Sequence, residues 1–255
     1  MISNKKIVLT GAGSGIGLEV LKLLCNEKSN TVLAVDKDIS RMENLFDNCI
    51  TMQIDVSSKE NVDLIFEKAH EIMGDINIFY ANAGYPYYEA LDYTDWDRCR
   101  VMFETNVFSP IYSYEKYRDY LNGRNGHFAI TVSAIGKMAM PGYALYSASK
   151  FAMHGFQQGL RFELPKNIKL TCLYPIATDT NFFAAANEKP FEKPFPVQSP
   201  QHVAKVMVKG LEKGKKFVNP SKLFSLSGIL FSIFPPIKSV YLKLEKNKLK
   251  RFLSK

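Results

Sequence analysis

A turn built almost entirely of small residues, set between a strand and a helix, restricts this 255-residue chain more than any other feature. The apolar run KKIVLT leads into Thr10-Gly11-Ala12-Gly13-Ser14-Gly15-Ile16-Gly17, and the helical spacing Leu18, Leu21, Leu24 follows at once. A helix therefore starts on glycines. Their missing side chains let the backbone come close to a ligand, while unpaired N–H groups and the positive end of the helix dipole attract negative charge. A pyrophosphate meets both conditions.

The rest of the chain repeats the same strand-to-helix alternation. TVLAVD, CITMQID, INIFYANAG, GHFAITVS and IKLTCLY read as strands, and longer amphipathic stretches between most of them read as helices. Because these runs are almost continuously apolar, they fit a parallel sheet covered on both faces. The expected class is α/β, a Rossmann-like doubly wound parallel sheet flanked by helices. Its ligands bind at the C-terminal strand ends, where the strand order reverses.

A hydrophobic content of 46% is enough for one large core. Residues 1–220 read as a single domain and 221–255 as a basic, apolar tail. The tail holds the charge: eight basic residues against Glu245 give it +7, nearly all of the chain's formal +8. That disfavours a nucleic-acid groove across the body, and any electrostatic partner would be met by the tail. The first apolar run gives way to the glycine turn after a strand's length, too short for a secretory leader, so a cytoplasmic location is expected. Cys25, Cys49, Cys99 and Cys172 show no CxxC or Cys/His ligand spacing; reduced thiols and no metal site are expected.

Tyr146-Ser147-Ala148-Ser149-Lys150 places a phenol and an ammonium four residues apart, on one face of a helix. Such a pair suits proton transfer coupled to hydride transfer at a carbonyl carbon, because charge on the oxygen changes as the hydride moves. A phenol of ordinary pKa near 10 is a poor base at neutral pH. Lowering it by about three units takes roughly 4 kcal/mol, which nearby cations in a partly desolvated cleft can supply. Ser133 lies thirteen residues before Tyr146, at the end of GHFAITVS, and Asn106 lies in the preceding helical segment. Asp36 ends the second strand nineteen residues after Gly17, where an acid accepts hydrogen bonds from ribose hydroxyls and repels a 2′-phosphate.

In this order and spacing the residues resemble the short-chain dehydrogenase/reductase family, in its single-domain branch with TGxxxGxG and YxxxK motifs. The general GxGxxG fingerprint is not met, since its last glycine would fall on Ile16, whereas TGxxxGxG is met residue for residue. The resemblance implies an NAD(P)-dependent enzyme that moves a hydride between a nicotinamide dinucleotide and an alcohol or ketone. It implies that Asn106 orders a relay water, Ser133 holds the substrate oxygen, Tyr146 exchanges the proton, and Lys150 tunes Tyr146 and binds ribose hydroxyls. The cofactor would meet Gly11, Gly13, Ser14, Gly15, Ile16 and Gly17 at the turn, and Asp36 and Lys37 at the ribose. Asp55 and Val56 would meet its adenine, and Asn82, Ala83 and Gly84 would pass beside it. Tyr146, Lys150, Pro175, Thr178 and Thr180 would hold the nicotinamide half.

Asp36, with no basic residue at Ser14, favours NAD(H); Lys37 leaves NADP(H) open. Ile176 stands where the family's PGxxxT segment has glycine, so that strand end must be reshaped if its turn needs a positive φ. His70, His127, His154 and His202 match no catalytic position. A homodimer or homotetramer is implied as well. A non-catalytic dinucleotide-sensing or scaffold protein is the competing reading, and an extended-branch epimerase or dehydratase a third. The complete tetrad argues against the first and the short tail against the second.

The substrate wall is expected from Ile135, Met138, Met140 and Tyr143, from Tyr85-Pro86-Tyr87-Tyr88, and from residues 178–200, a Pro/Phe-rich segment of the kind that forms lids. All favour a lipophilic substrate. In the tail, Leu223, Phe224, Leu226, Ile229, Leu230, Phe231, Ile233 and Phe234 end at Pro235-Pro236, too short a run to cross a bilayer. Beyond the prolines, apolar residues alternate with lysines as in a basic amphipathic helix. Two readings stand for the tail: peripheral contact with a membrane surface, or a flap or subunit contact.

Overall fold

Seven strands form one parallel sheet in the computed structural model, which describes residues 2–187 and 189–254 apart from the side chains of Ala184, Ala185, Ile229 and Ser232. The Ile229 side chain and Lys255 thus lie outside the described residues. The strands are β1 (Lys6–Thr10), β2 (Thr31–Asp36), β3 (Cys49–Gln53), β4 (Ile78–Ala81), β5 (Gly126–Thr131), β6 (Ile168–Leu173) and β7 (Phe217–Val218). Their order, β3-β2-β1-β4-β5-β6-β7, reverses between β1 and β4. The crevice of a doubly wound sheet opens at that reversal, directly after the glycine turn. Only the two-residue β7 escaped the sequence reading, being too short to show a period.

The helices are α1 (Gly15–Cys25), α2 (Lys59–Met73), α3 (Trp96–Phe103), α4 (Ser109–Leu121), α5 (Ala144–Glu163), the short α6 (Phe182–Ala186) and α7 (Pro200–Glu212). In the tail come α8 (Lys222–Ile233) and α9 (Pro235–Leu253). Alternation along the strands divides the interior in two. Val8, Leu33, Phe79 and Phe128 pack under α2, α4 and α5, whereas Ile7, Leu9, Val32 and Tyr80 pack under α1 and α7. Each such side chain, removed from water, contributes about 1.5–3 kcal/mol before conformational entropy is subtracted.

Local chemistry sets the helix ends. Ser58 caps α2 by accepting from the Asn61 N–H at 3.2 Å, and Gly74 closes it in the left-handed conformation at φ 66°. Ser221 caps α8 in the same way through Phe224, and Pro235 and Pro236 open α9 where their missing N–H groups cost nothing. The prolines therefore end one tail helix and begin another.

Candidate active site

The crevice contains a cavity of about 1060 Å³ that runs from the glycine turn to the tail. This is at the top of the range of roughly 300–1,000 Å³ usual for small-molecule sites. Gly11, Gly13, Ser14, Gly15, Ile16 and Gly17 line one end with Asp36, Lys37, Asp55 and Val56. Asn82, Ala83, Gly84, Ser133, Tyr146, Pro175, Thr178 and Thr180 line its middle. Of the residues expected from sequence for catalysis or cofactor contact, Asn106 and Lys150 alone stand behind the wall.

The turn is shaped by close approach. A Cβ at Gly17 would fall 1.8 Å from the Gly11 carbonyl oxygen, so no larger residue fits without moving the backbone. Ser14 precedes α1 without capping it through its side chain, which leaves the first N–H groups of that helix for a ligand. Asp36 is held at the rim by accepting from the Gly13 N–H at 2.7 Å and the Asp38 N–H at 3.1 Å. A donor-rich helix start, a glycine cradle and a strand-end carboxylate fit a dinucleotide's pyrophosphate and ribose. Arg41, also on the cavity wall, lies within 3.2 Å of the side-chain oxygen of Asn181 once that amide is oriented to accept. Neither residue carries a signal legible in sequence, since Arg41 sits in a turn without a periodic pattern.

Asn82 joins the strand ends. Its side chain donates to the Gly11 carbonyl at 3.0 Å and accepts from the Thr131 hydroxyl at 2.8 Å, while the Thr10 hydroxyl accepts from the backbone of Asn82 and Ala83. Behind Gly84, the Asn106 oxygen and the Lys150 ammonium converge: a Cβ there would lie 2.9 Å from the first and 3.4 Å from the second. Asn106 sits in a π-helical turn (Glu104–Phe108) rather than in a regular helix. Its amide accepts from the Tyr85 N–H at 3.1 Å and donates to the Tyr85 carbonyl at 2.9 Å and to the Ser149 hydroxyl at 3.2 Å. It therefore pins the loop after β4 as well as facing Lys150.

Tyr146 and Lys150 share one face of α5, with the ammonium 5.7 Å from the phenol ring centre. Lys150 donates to the Thr131 carbonyl at 3.2 Å and is buried, which pushes its pKa down to about 8. Burial also pushes the Tyr146 phenol above its ordinary value, and a hydrogen bond with Ser133 acts in the opposite direction. The expected lowering counts on cations that include a nicotinamide ring, and in the chain by itself burial acts against it. Desolvation outweighs that hydrogen bond, and a positive nicotinamide ring would act in the lowering direction.

Ser133 carries a second feature that sequence could not reveal. Its backbone lies at φ 144° and ψ 154°, a region that is essentially glycine's. Neighbouring backbone bonds hold it there: Val132 donates to the Leu173 carbonyl and Ala134 to the Pro175 carbonyl, both at 2.9 Å. Ile176, by contrast, needs no positive φ. The strand end after β6 is instead tied by the Thr178 hydroxyl donating to the Ile176 carbonyl at 2.9 Å and by a bridge from Thr178 to Gln198. Thr180 packs over the glycine turn, 3.1 Å from where a Gly15 Cβ would be.

The far half of the cavity is apolar. Tyr85, Tyr87, Ile135, Met138, Met140 and Tyr143 line it as expected, together with Phe182, Phe183 and Phe195 of the lid segment. Pro86 and Tyr88 do not. Tyr88 instead stacks on Phe191 with ring centres 4.1 Å apart, and holds the lid from behind. Leu223, Phe224, Ser227, Leu230 and Phe231 of α8, with Ile237 and Tyr241 of α9, complete the wall. α9 also braces the lid: Tyr241 donates to the Phe195 carbonyl at 3.1 Å, Lys248 to the Lys193 carbonyl at 3.2 Å, and Arg251 pairs with Glu192 at 2.9 Å. Among the described residues no cluster of side chains is suited to hold a metal ion, and no helix is long and apolar enough to cross a membrane.

A helix start with uncapped N–H groups, a strand-end acid and a Ser/Tyr pair in one crevice, with a lysine behind the tyrosine, define a dinucleotide-dependent oxidoreductase. The chain belongs to the short chain dehydrogenase family, whose pattern it matches over residues 5–190. It is 26% identical to the 17-beta-hydroxysteroid dehydrogenase 13 of Rattus norvegicus over 245 residues, 92% of this chain and 80% of that one. Among solved structures, a short chain dehydrogenase/reductase from Burkholderia phymatum in complex with NAD superposes with a TM-score of 0.80 at 18% identity, covering 93% of this chain and 97% of the other. Another, from Burkholderia cenocepacia in complex with NADP, gives 0.78 at 21% identity, covering 94% and 98%. The protein is an NAD(P)-dependent dehydrogenase of this family.

Proposed function

We propose that the chain is an NAD(H)-linked ketone reductase or secondary alcohol dehydrogenase for lipophilic substrates. The carrying observation is that Ser133 and Tyr146 lie in the same cavity as an extended wall of aromatic and aliphatic side chains. The name of the steroid-directed relative agrees with a hydrophobic alcohol or ketone. When bound, the nicotinamide supplies or accepts the hydride. Tyr146 gives its proton to the substrate oxygen in reduction and takes it back in oxidation, while the Ser133 hydroxyl holds that oxygen and stabilises its developing charge. Lys150 acts on the Tyr146 proton and on ribose hydroxyls. Asn106, fixed against Tyr85 and facing Lys150, positions the proton relay. The Asp36 carboxylate, with both oxygens already accepting from backbone N–H groups, favours a ribose hydroxyl over a 2′-phosphate.

The assembly we propose is a homodimer or homotetramer, supported by the exposed aromatic surface of Phe108, Phe151 and Phe162 beside α4 and on α5. Sedimentation of the protein with Phe162→Glu tests it. The function itself is tested by titrating NADH and NADPH separately and then screening ketones of increasing chain length. Tighter NADH binding and a kcat/KM that rises with chain length are expected. Tyr146→Phe should lower kcat by about 10²–10⁴ and leave the NADH dissociation constant unchanged. Unchanged turnover would overturn the role given to Tyr146, whereas dinucleotide binding with no turnover of any ketone by the unaltered chain would favour a dinucleotide sensor.

A further inference from the structure

Helix α8 carries apolar residues on two adjoining faces. Leu223, Phe224, Leu230 and Phe231 line the cavity, whereas Leu226 and Ile233, seven residues apart and so on one face, are 64% and 63% exposed. Phe234 continues the outer surface, and Val240 and Leu244 carry it along α9 at helical spacing, all of them exposed, with Ile237, which also lines the cavity, at its edge. Lys243, Lys246 and Lys250, also exposed and at the same spacing, form the adjoining stripe. A helix apolar all round belongs inside a protein or against lipid, and a contiguous exposed apolar patch with a basic border marks an interaction surface.

Charge decides between the occupants. A second copy of the chain would bring two tails of net +7 against each other. An anionic lipid surface attracts the same charge, by about fivefold in binding for each lysine near it. Since no helix among those described is long and apolar enough to span a bilayer, the tail would lie in the interface. We propose that α8 and α9 seat the protein on an anionic membrane surface, with α8 forming the doorway between the bilayer and the cavity. The outer face of α8 enters the acyl boundary while its inner face lines the cavity, so an apolar substrate passes from lipid to Tyr146 without crossing bulk water. This last step rests on the lipophilic substrate proposed above; the docking does not.

The test uses the full chain with vesicles of phosphatidylcholine alone or mixed with phosphatidylserine. Without substrate, the protein is expected to sediment with the anionic vesicles and to bind the neutral ones at least about tenfold more weakly. Lys243→Ser, Lys246→Ser and Lys250→Ser should each weaken the anionic binding by about fivefold. A Leu226→Ser/Ile233→Ser double variant, with thermal unfolding monitored to confirm that it folds, should weaken it by about tenfold or more. With a long-chain ketone supplied in vesicles, the double variant should show a raised KM, and its KM for a short water-soluble ketone should not change. Equal vesicle binding by wild type and double variant overturns the proposal. So does a concentration-dependent dimer that needs Leu226 and Ile233 while vesicles stay unbound. Vesicle binding needs no turnover, so failure of the reductase reading is seen separately, in the soluble-ketone assay.

Discussion

The backbone of Ser133 offers a test that separates strain from chemistry. At φ 144° and ψ 154° the residue occupies a region that costs about 1–3 kcal/mol for any side chain bearing a Cβ. Ser133→Ala and Ser133→Gly both delete the hydroxyl and its bond from the Ile135 N–H, but only glycine relieves the backbone. Against that relief stands the greater freedom of glycine in the unfolded chain, about 0.4–1 kcal/mol. The glycine variant should therefore be more stable than the alanine variant by about 1 kcal/mol. At about 2.1 cal/mol/K of unfolding entropy per residue, the chain's length makes this roughly a 2 °C difference in melting temperature. With a urea m-value near 3 kcal/mol/M it is about 0.3 M in midpoint. Both variants should lose most turnover, because both lack the group that holds the substrate oxygen. A glycine variant that melts at or below the alanine variant would refute the argument that the surrounding structure imposes this conformation.

Three further outcomes follow from burial. His127 is buried, and desolvation lowers its pKa to about 4, so between its unfolded value near 6.5 and about 4 the unfolded chain binds the extra proton; stability should fall by roughly 3 kcal/mol as pH drops through that window. The Thr171 hydroxyl donates to the Lys215 carbonyl and so accepts from His127 Nε2, and His127→Gln, which keeps an N–H donor, should flatten that part of a urea-midpoint-against-pH curve. For ketone reduction, kcat/KM should decline as pH rises through about 8, where Lys150 loses its charge while Tyr146 stays protonated; a profile flat to pH ~10 would sink that assignment. Gly17→Ala should cost about 3 kcal/mol of stability or abolish NADH binding in a fluorescence titration, because its Cβ would lie 1.8 Å from the Gly11 oxygen.

What sequence made legible was whatever depends on period and spacing. The strands announced themselves as apolar runs, and the turn, Asp36, Asn82, Ser133, Tyr146 and Lys150 came from fixed intervals that the fold turns into neighbours. Contacts set by long-range packing stayed hidden. Nothing near Arg41 shows that it reaches the cavity, and no local pattern places Asn106 in a π-helical turn with both amide groups bonded. The tail shows the same limit from the other side. Its apolar residues were plain, but their division between the cavity and the outer face depends on how α8 lies across the crevice, which is a property of the packed chain.

The chemistry at Tyr146 turns on the same distinction. The helical spacing of YxxxK led to the expectation that nearby cations would draw the phenol toward ionisation. In the folded chain both groups are buried, and burial drives each toward its neutral form: the phenol upward, the ammonium down to about 8. A site so arranged is not poised as a base by itself. It holds a proton on Tyr146, ready to be given to a substrate oxygen, which is the requirement of ketone reduction. In the oxidative direction the phenol must first be drawn down, and the Ser133 hydrogen bond acts in that sense. The positive charge of an oxidised nicotinamide would act in the same direction. As pH rises oxidation should gain up to about 8, where Lys150 loses its charge, and reduction should decline beyond that point.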